Sequence, residues 1–202
     1  MINLFDVSIK GWEVLLLLLV TIFVLSLLWK YYEDRYSFSF KEKVNTTFLA
    51  LTFSVVGSLL FNGVVPIVAW TFYAFHFSVD KKYMELPNAV NGLIALSAIY
   101  PAITQIKDVG FLQSGVMTSL ILFVVFLTLA LVGSMGGGDI KLMTVSGLFF
   151  TVPEIPRLIF FGFLIGAIYG IALMILKKKD KNSLFAFGPS LILGVLMTVC
   201  LG

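Results

Sequence analysis

The chain has 202 residues, 59% of them hydrophobic and only 12% charged, with a mean hydropathy of +1.04. A soluble domain of this length needs far more polar surface, so the bilayer is expected to be its main solvent. The formal charge of +3 gives no basis for nucleic-acid binding, and the single cysteine, Cys200, excludes an internal disulfide and a cysteine-based zinc site.

Eight candidate helices follow in chain order, roughly over 12–31, 45–61, 64–79, 90–106, 113–133, 140–152, 157–176 and 185–201. The first apolar run, Trp12 to Trp29, is long enough to span. No small-residue cleavage site follows it, so it reads as a retained helix rather than a signal peptide. The second and third helices are divided by Asn62-Gly63, a turn signal, with Pro66 suited to a first helical turn. Several runs are shorter than the ~20 residues of a full span. That is tolerable where a helix end faces a cavity inside the protein rather than lipid. The expected fold is all-α, a polytopic transmembrane bundle of about eight helices, forming one integral membrane domain over residues 1–202.

The basic residues orient this bundle. Eight alternating spans put residues 32–44, 80–89, 139–141 and 177–184 on one side. With Lys30, that side holds Arg35, Lys41, Lys43, Lys81, Lys82, Lys141, Lys177, Lys178, Lys179 and Lys181. Only Lys10, Lys107 and Arg157 fall on the other. The positive-inside rule makes the first side cytoplasmic and leaves both termini outside, in a multi-pass plasma-membrane protein.

In this topology Asp80 and Asp139 end the third and fifth helices at one side and one depth. They are the two acids at a helix–loop junction immediately after an apolar span. Two nearby carboxyls cannot both ionise cheaply, so they share a proton. The ionised one can take a proton from water, and the protonated one can donate to a scissile carbonyl oxygen. Such a pair hydrolyses a peptide bond without metal or cofactor. From topology alone, the two acids read equally well as solvated helix ends. Gly136, Gly137 and Gly138 precede Asp139. Consecutive glycines are poor helix formers, so an unwound hinge is expected there, open to close approach by a substrate backbone.

GGGDIKLM, residues 136–143, resembles the second active-site motif of the type IV prepilin peptidases, a family of GxGD-type membrane aspartic proteases. DKKYMELPN, residues 80–88, resembles their first motif, an Asp followed by Pro-Asn or Pro-Asp. FGPS, residues 187–190, resembles their Phe-Gly-Pro segment near the last helix. The three occur in the family's order. The resemblance implies that Asp80 and Asp139 are the catalytic pair. It also implies removal of a prepilin leader after a glycine at the cytoplasmic face, with Lys141, Pro87, Asn88, Gly188 and Pro189 in supporting positions.

Long members of the family carry a cytoplasmic zinc module with two Cys-x-x-Cys pairs. This sequence has none, and its first cytoplasmic loop is about thirteen residues. A short, peptidase-only form without N-methyltransferase activity is therefore expected, serving bacterial pilins or archaeal preflagellins, with FGPS leaning toward the pilin type. The expected partners are a prepilin-like substrate and membrane lipids; the sequence does not specify an oligomeric state. Pro87 and Asn88 are expected to shape the turn into the fourth helix, and Pro189 suits the first turn of the last. Lys141 reads most simply as a headgroup anchor, and His76, one turn before Asp80, as a packing residue. A different class, a transporter or ion channel, would use carboxylates near the bilayer midplane with inverted repeats around them. Neither feature is visible in the sequence.

Overall fold

The computed structural model describes residues 11–60, 67–99, 109–133, 135–177 and 185–201. Among these residues eight α-helices form an all-α bundle. They are α1 (Gly11–Tyr31), α2 (Phe40–Leu60), α3 (Ile67–Tyr83), α4 (Asn88–Ser97), α5 (Val109–Leu131), α6 (Gly137–Ser146), α7 (Ile155–Lys177) and α8 (Gly188–Leu201). Two single 3₁₀ turns, Gly147–Phe149 and Val152–Glu154, join α6 to α7. The Asn62-Gly63 turn, Pro66, Lys10, Lys107 and residues 178–184 lie outside the described residues.

The helix bounds correct the hydropathy reading at several places: α4 ends at Ser97 rather than 106, α5 begins at Val109 rather than 113, and α8 begins at Gly188 rather than 185. α2 begins at Phe40 rather than 45, because Ser-Phe-Lys-Glu (39–42) is a capping box. The Ser39 N–H donates to Glu42 Oε2 at 2.7 Å, and the Glu42 N–H donates back to Ser39 Oγ at 3.3 Å. The expected loop of 32–44 shrinks accordingly. α6 begins at Gly137 rather than 140, and its helical hydrogen bonding gives way to the 3₁₀ turns after Ser146 instead of running to 152.

α3 is the axis of the bundle and packs against α1, α2, α4 and α8. Its residues Ala69 to His76 are buried without interruption, as expected of a helix enclosed by others on all sides. α6 contacts α4, α5 and α8, so α4 and α8 each touch both α3 and α6. α7 and α8 cross closely. A Cβ on Gly194 would lie 2.5 Å from the Gly162 backbone nitrogen, so the crossing requires glycine.

Two stretches, Gln113–Leu131 and Val152–Leu176, are long and apolar enough to cross a membrane. Their apolar side chains largely face outward, among them Leu120, Val124, Ile168 and Ile175. Contiguous apolar surface of that extent belongs against lipid or another protein.

Candidate active site

Asp80 stands one residue after the expected span 64–79, whereas Asp139 does not end the fifth helix, which stops at Leu131, but opens the sixth; both acids are buried, at 5% and 8% exposure. They line one pocket of about 460 Å³, together with Leu86, Pro87, Asn88 and Lys141. Asp80 lies in the last turn of α3, and Asp139 in the first turn of α6. One hydrogen bond ties the two acid-bearing helices together. Tyr73 lies two turns before Asp80, Ser146 two turns after Asp139, and the Tyr73 hydroxyl bonds Ser146 Oγ at 2.8 Å. Seven residues of helix is about 10 Å. The two acids are therefore equidistant from a shared tie.

Each carboxylate is held by a backbone N–H. The Gly188 N–H donates to Asp80 Oδ2 at 3.0 Å, and the Gly136 N–H donates to Asp139 Oδ2 at 3.3 Å. Burial pushes Asp80 up to about 7; the charge of Asp139 adds to the rise, and the Gly188 N–H opposes it. Burial pushes Asp139 up to about 6, opposed by the Gly136 N–H. Ionising Asp139 first leaves Asp80 to ionise in the presence of its charge. Helix dipoles act in the same sense. The first turn of α6 favours a negative charge, and the last turn of α3 disfavours one.

The three glycines do not form an unwound hinge. Gly136 is extended at φ −81°, and Gly137 and Gly138 are the first residues of α6. Their use is spatial. A Cβ on Gly138 would lie 3.1 Å from Leu86 Cβ, and one on Gly188 would lie 2.7 Å from Asp80 Oδ2 and 3.3 Å from Leu86 Cδ2. Leu86 thus packs onto both glycines behind the acids. Gly137 has open space where a Cβ would be.

Pro87 is the N-cap of α4, and its carbonyl accepts the Val90 and Asn91 N–H groups. Asn88 opens that helix, and its Oδ1 accepts the Lys141 ammonium at 2.9 Å. Lys141 therefore links α6 to α4 at the pocket, a contact that a headgroup anchor does not require. Pro189 occupies the first turn of α8, where its missing N–H costs nothing. His76 is fully buried on α3 beside Asn91 and does not line the pocket.

Several pocket residues were not anticipated. Tyr31 and Tyr32 enter from the end of α1; the only signal was an aromatic pair closing an apolar run. A strap over residues 32–39 joins the α3–α4 turn. Arg35 pairs with Glu85, the Tyr36 hydroxyl donates to Glu85 at 2.9 Å, and the Tyr83 hydroxyl donates to the Ser37 carbonyl at 2.6 Å. Lys82 bonds the same carbonyl at 2.7 Å and pairs with Glu42.

Met84, at φ +53°, ends α3 in the left-handed region, and its N–H bonds the Asp80 carbonyl at 2.8 Å. Helix ends of this shape favour glycine, and a side chain there costs about 1–2 kcal/mol. Met84→Gly is expected to stabilise the protein by about 1 kcal/mol, read as a higher melting temperature in detergent. Met84→Ala, which keeps a Cβ, should give no such gain.

Residues 66–171, just over half of the chain, match the sequence model of the type IV leader peptidase family. Over 125 residues the chain is 29% identical to the prepilin leader peptidase/N-methyltransferase of Bacillus subtilis (strain 168). That alignment covers 61% of this chain and 50% of the relative, so the chain spans about half the length of that protein. No solved structure matches this chain. The family match includes Asp80, Pro87, Asn88 and the glycines before Asp139, while Gly188 and Pro189 lie beyond it and join the site through the fold. On this match the chain belongs to the type IV leader peptidase family.

Proposed function

We propose that residues 1–202 act as one multi-pass membrane peptidase domain. It would remove the leader of a type IV prepilin-like protein after a glycine, at the cytoplasmic face, with Asp80 and Asp139 as an aspartic dyad. The observation that carries this reading is the meeting of two buried carboxyls in one pocket at the ends of two helices. The excess of basic residues on that side supports the cytoplasmic orientation.

In this mechanism Asp139, the more acidic partner, is the base. Its carboxylate takes a proton from water, and the resulting hydroxide attacks the scissile carbonyl carbon. Asp80 is protonated and donates to the carbonyl oxygen, giving a neutral tetrahedral intermediate. Proton transfer from Asp139 to the leaving nitrogen, with the ionised Asp80 taking back a hydroxyl proton from the intermediate, then lets the C–N bond break and restores both carboxyls to their starting states. The Gly188 and Gly136 N–H groups hold the two carboxyls in place as the proton moves.

The decisive experiment is to incubate the purified protein in detergent with a prepilin and sequence the new N-terminus. Cleavage directly after the leader glycine is expected; an intact prepilin, or a cut elsewhere, would remove this reading. S-adenosylmethionine is included in a parallel reaction, and mass spectrometry of the product is expected to show no methyl gain. These residues hold a single cysteine, and the zinc-module pairs of methylating relatives are not among them.

The pH profile follows from the assigned states. Activity requires Asp139 ionised, so it rises as pH passes about 6. It requires Asp80 protonated, so it falls as pH passes about 7. A bell for kcat/KM with its maximum between these values is expected. The two limbs are properties of the pair rather than of either residue alone.

A further inference from the structure

Beside the carboxylate pocket, a second concavity of about 410 Å³ runs between α1, α3 and α4. Its walls are apolar: Val24, Leu27 and Leu28 from α1, Phe72 from α3, and Val90 and Leu93 from α4. Tyr31, Tyr32 and Ala89 line both spaces, so the two meet there. From Tyr31 through Leu27 to Val24 the groove descends two turns of α1, about 10 Å. Phe72 lies eight residues before Asp80, about 12 Å down the axis of α3. The groove therefore starts at the level of the acids and runs along the apolar body of the bundle.

We propose that this groove seats the first two turns of the substrate's apolar segment, immediately after the bond that is cut. The inference rests on the leader-peptidase reading and assigns the surface that positions that substrate. A leader peptidase must hold a peptide bond at Asp80 and Asp139 while the following apolar residues stay out of water. The wall that continues directly from the acids and offers only hydrocarbon below Tyr31 and Tyr32 meets both needs. Burying one face of two helical turns there removes several aliphatic side chains from competing surroundings and fixes the axial position of the cut.

The alternative surface on the other side of α4 does not suit an apolar helix. It is lined by Asn88, Asn91, Lys141 and Thr144 as well as Phe123 and Val145. The concavity between α2 and α3 carries Glu42, Ser78, Lys81 and Lys82 and touches neither acid. Leu27 is 52% exposed, so a cysteine there disturbs little of the core.

The test uses the full chain in vesicles of phosphatidylethanolamine and phosphatidylglycerol. Cys200→Ala removes the native thiol, and Asp139→Asn keeps the substrate uncut. Leu27→Cys or Val24→Cys is then oxidised against prepilins carrying single cysteines through the first two turns after the cut. Disulfide-linked product is expected from both positions, peaking every three to four substrate residues. Crosslinks from Thr144→Cys alone, or from none of the three, would overturn the proposal. So would labelling of the groove by a phospholipid with a photoreactive acyl chain that added prepilin does not compete away.

A kinetic arm is independent of crosslinking. Leu27→Trp, in the otherwise native chain, fills the groove. It is expected to lower kcat/KM for the full prepilin at least tenfold relative to a soluble peptide ending shortly after the cut. An unchanged ratio would overturn the proposal. Failure of the native chain to cut either substrate would instead remove the leader-peptidase reading, so the two failures are distinguishable.

Discussion

Asp80→Asn and Asp139→Asn are each expected to lower kcat for leader cleavage by about 10³-fold, the scale of a lost general acid or base. The double variant should be little worse than either single one, because the two carboxyls act as a unit. Both proteins should remain folded, since an amide can still accept the N–H of Gly188 or Gly136. Their stability should move in the opposite direction to their activity. Folding raises both acids above the ordinary value of 3.8. The native state therefore binds more protons than the unfolded chain as pH rises from about 4 to about 7. Native stability falls through that window. Asparagine removes the penalty, so each variant should melt higher than the native protein at pH 8 and lose that advantage near pH 4. Cleavage and melting curves across pH measure both effects. Native-level cleavage by either single variant would take the dyad out of the mechanism.

Gly188→Ala is expected to lower kcat by about 10²-fold, from the addition of one methyl group. The new Cβ would stand 2.7 Å from Asp80 Oδ2 and 3.1 Å from Asp80 Cγ, inside any real contact distance. It must push the carboxyl away from its backbone donor, the Gly188 N–H. A displacement of this order costs a reaction that depends on placing two carboxyls against one bond. The falling limb of the pH profile should also move upward, because the N–H that favours the ionised form is weakened. Gly92→Ala is the control. It lies in α4 with open space around the added Cβ, and alanine there should raise stability by about 0.5–1 kcal/mol without changing the pH profile. If Gly188→Ala cleaves like the native chain, the contact between α8 and Asp80 does not position the acid.

These effects separate what was legible in the chain from what was not. The motif around Asp139 was legible as residue types, but its glycines were misread in conformation. Propensity alone argues that three glycines unwind. In the structure Gly137 and Gly138 are helical, and position 138 is glycine for space, since Leu86 from the α3–α4 turn lies where a side chain there would go. The start of α2 was legible in principle from Ser39 and Glu42. A reading by hydropathy passed over it because the capping turn is polar and charged. Lys141 was expected to face headgroups, and its bond to Asn88 could not be anticipated, since the partner is 53 residues away.

By itself the sequence determined the class of the fold and the order of its helices. Long apolar runs have few ways to satisfy their backbone groups, and helices do so without distant partners. It also determined that Asp80 and Asp139 stand at the ends of apolar runs, because the change from apolar to polar residues is local. Tertiary structure alone decided that the two acids share a pocket. Lateral neighbours are chosen by contacts between distant residues: Tyr73 with Ser146, Leu86 with Gly138, and α4 and α8 against both acid-bearing helices. It also decided that a glycine 108 residues from Asp80 supplies its hydrogen bond. A backbone N–H carries no side-chain signature, so only the folded path of the chain can bring it to the carboxylate.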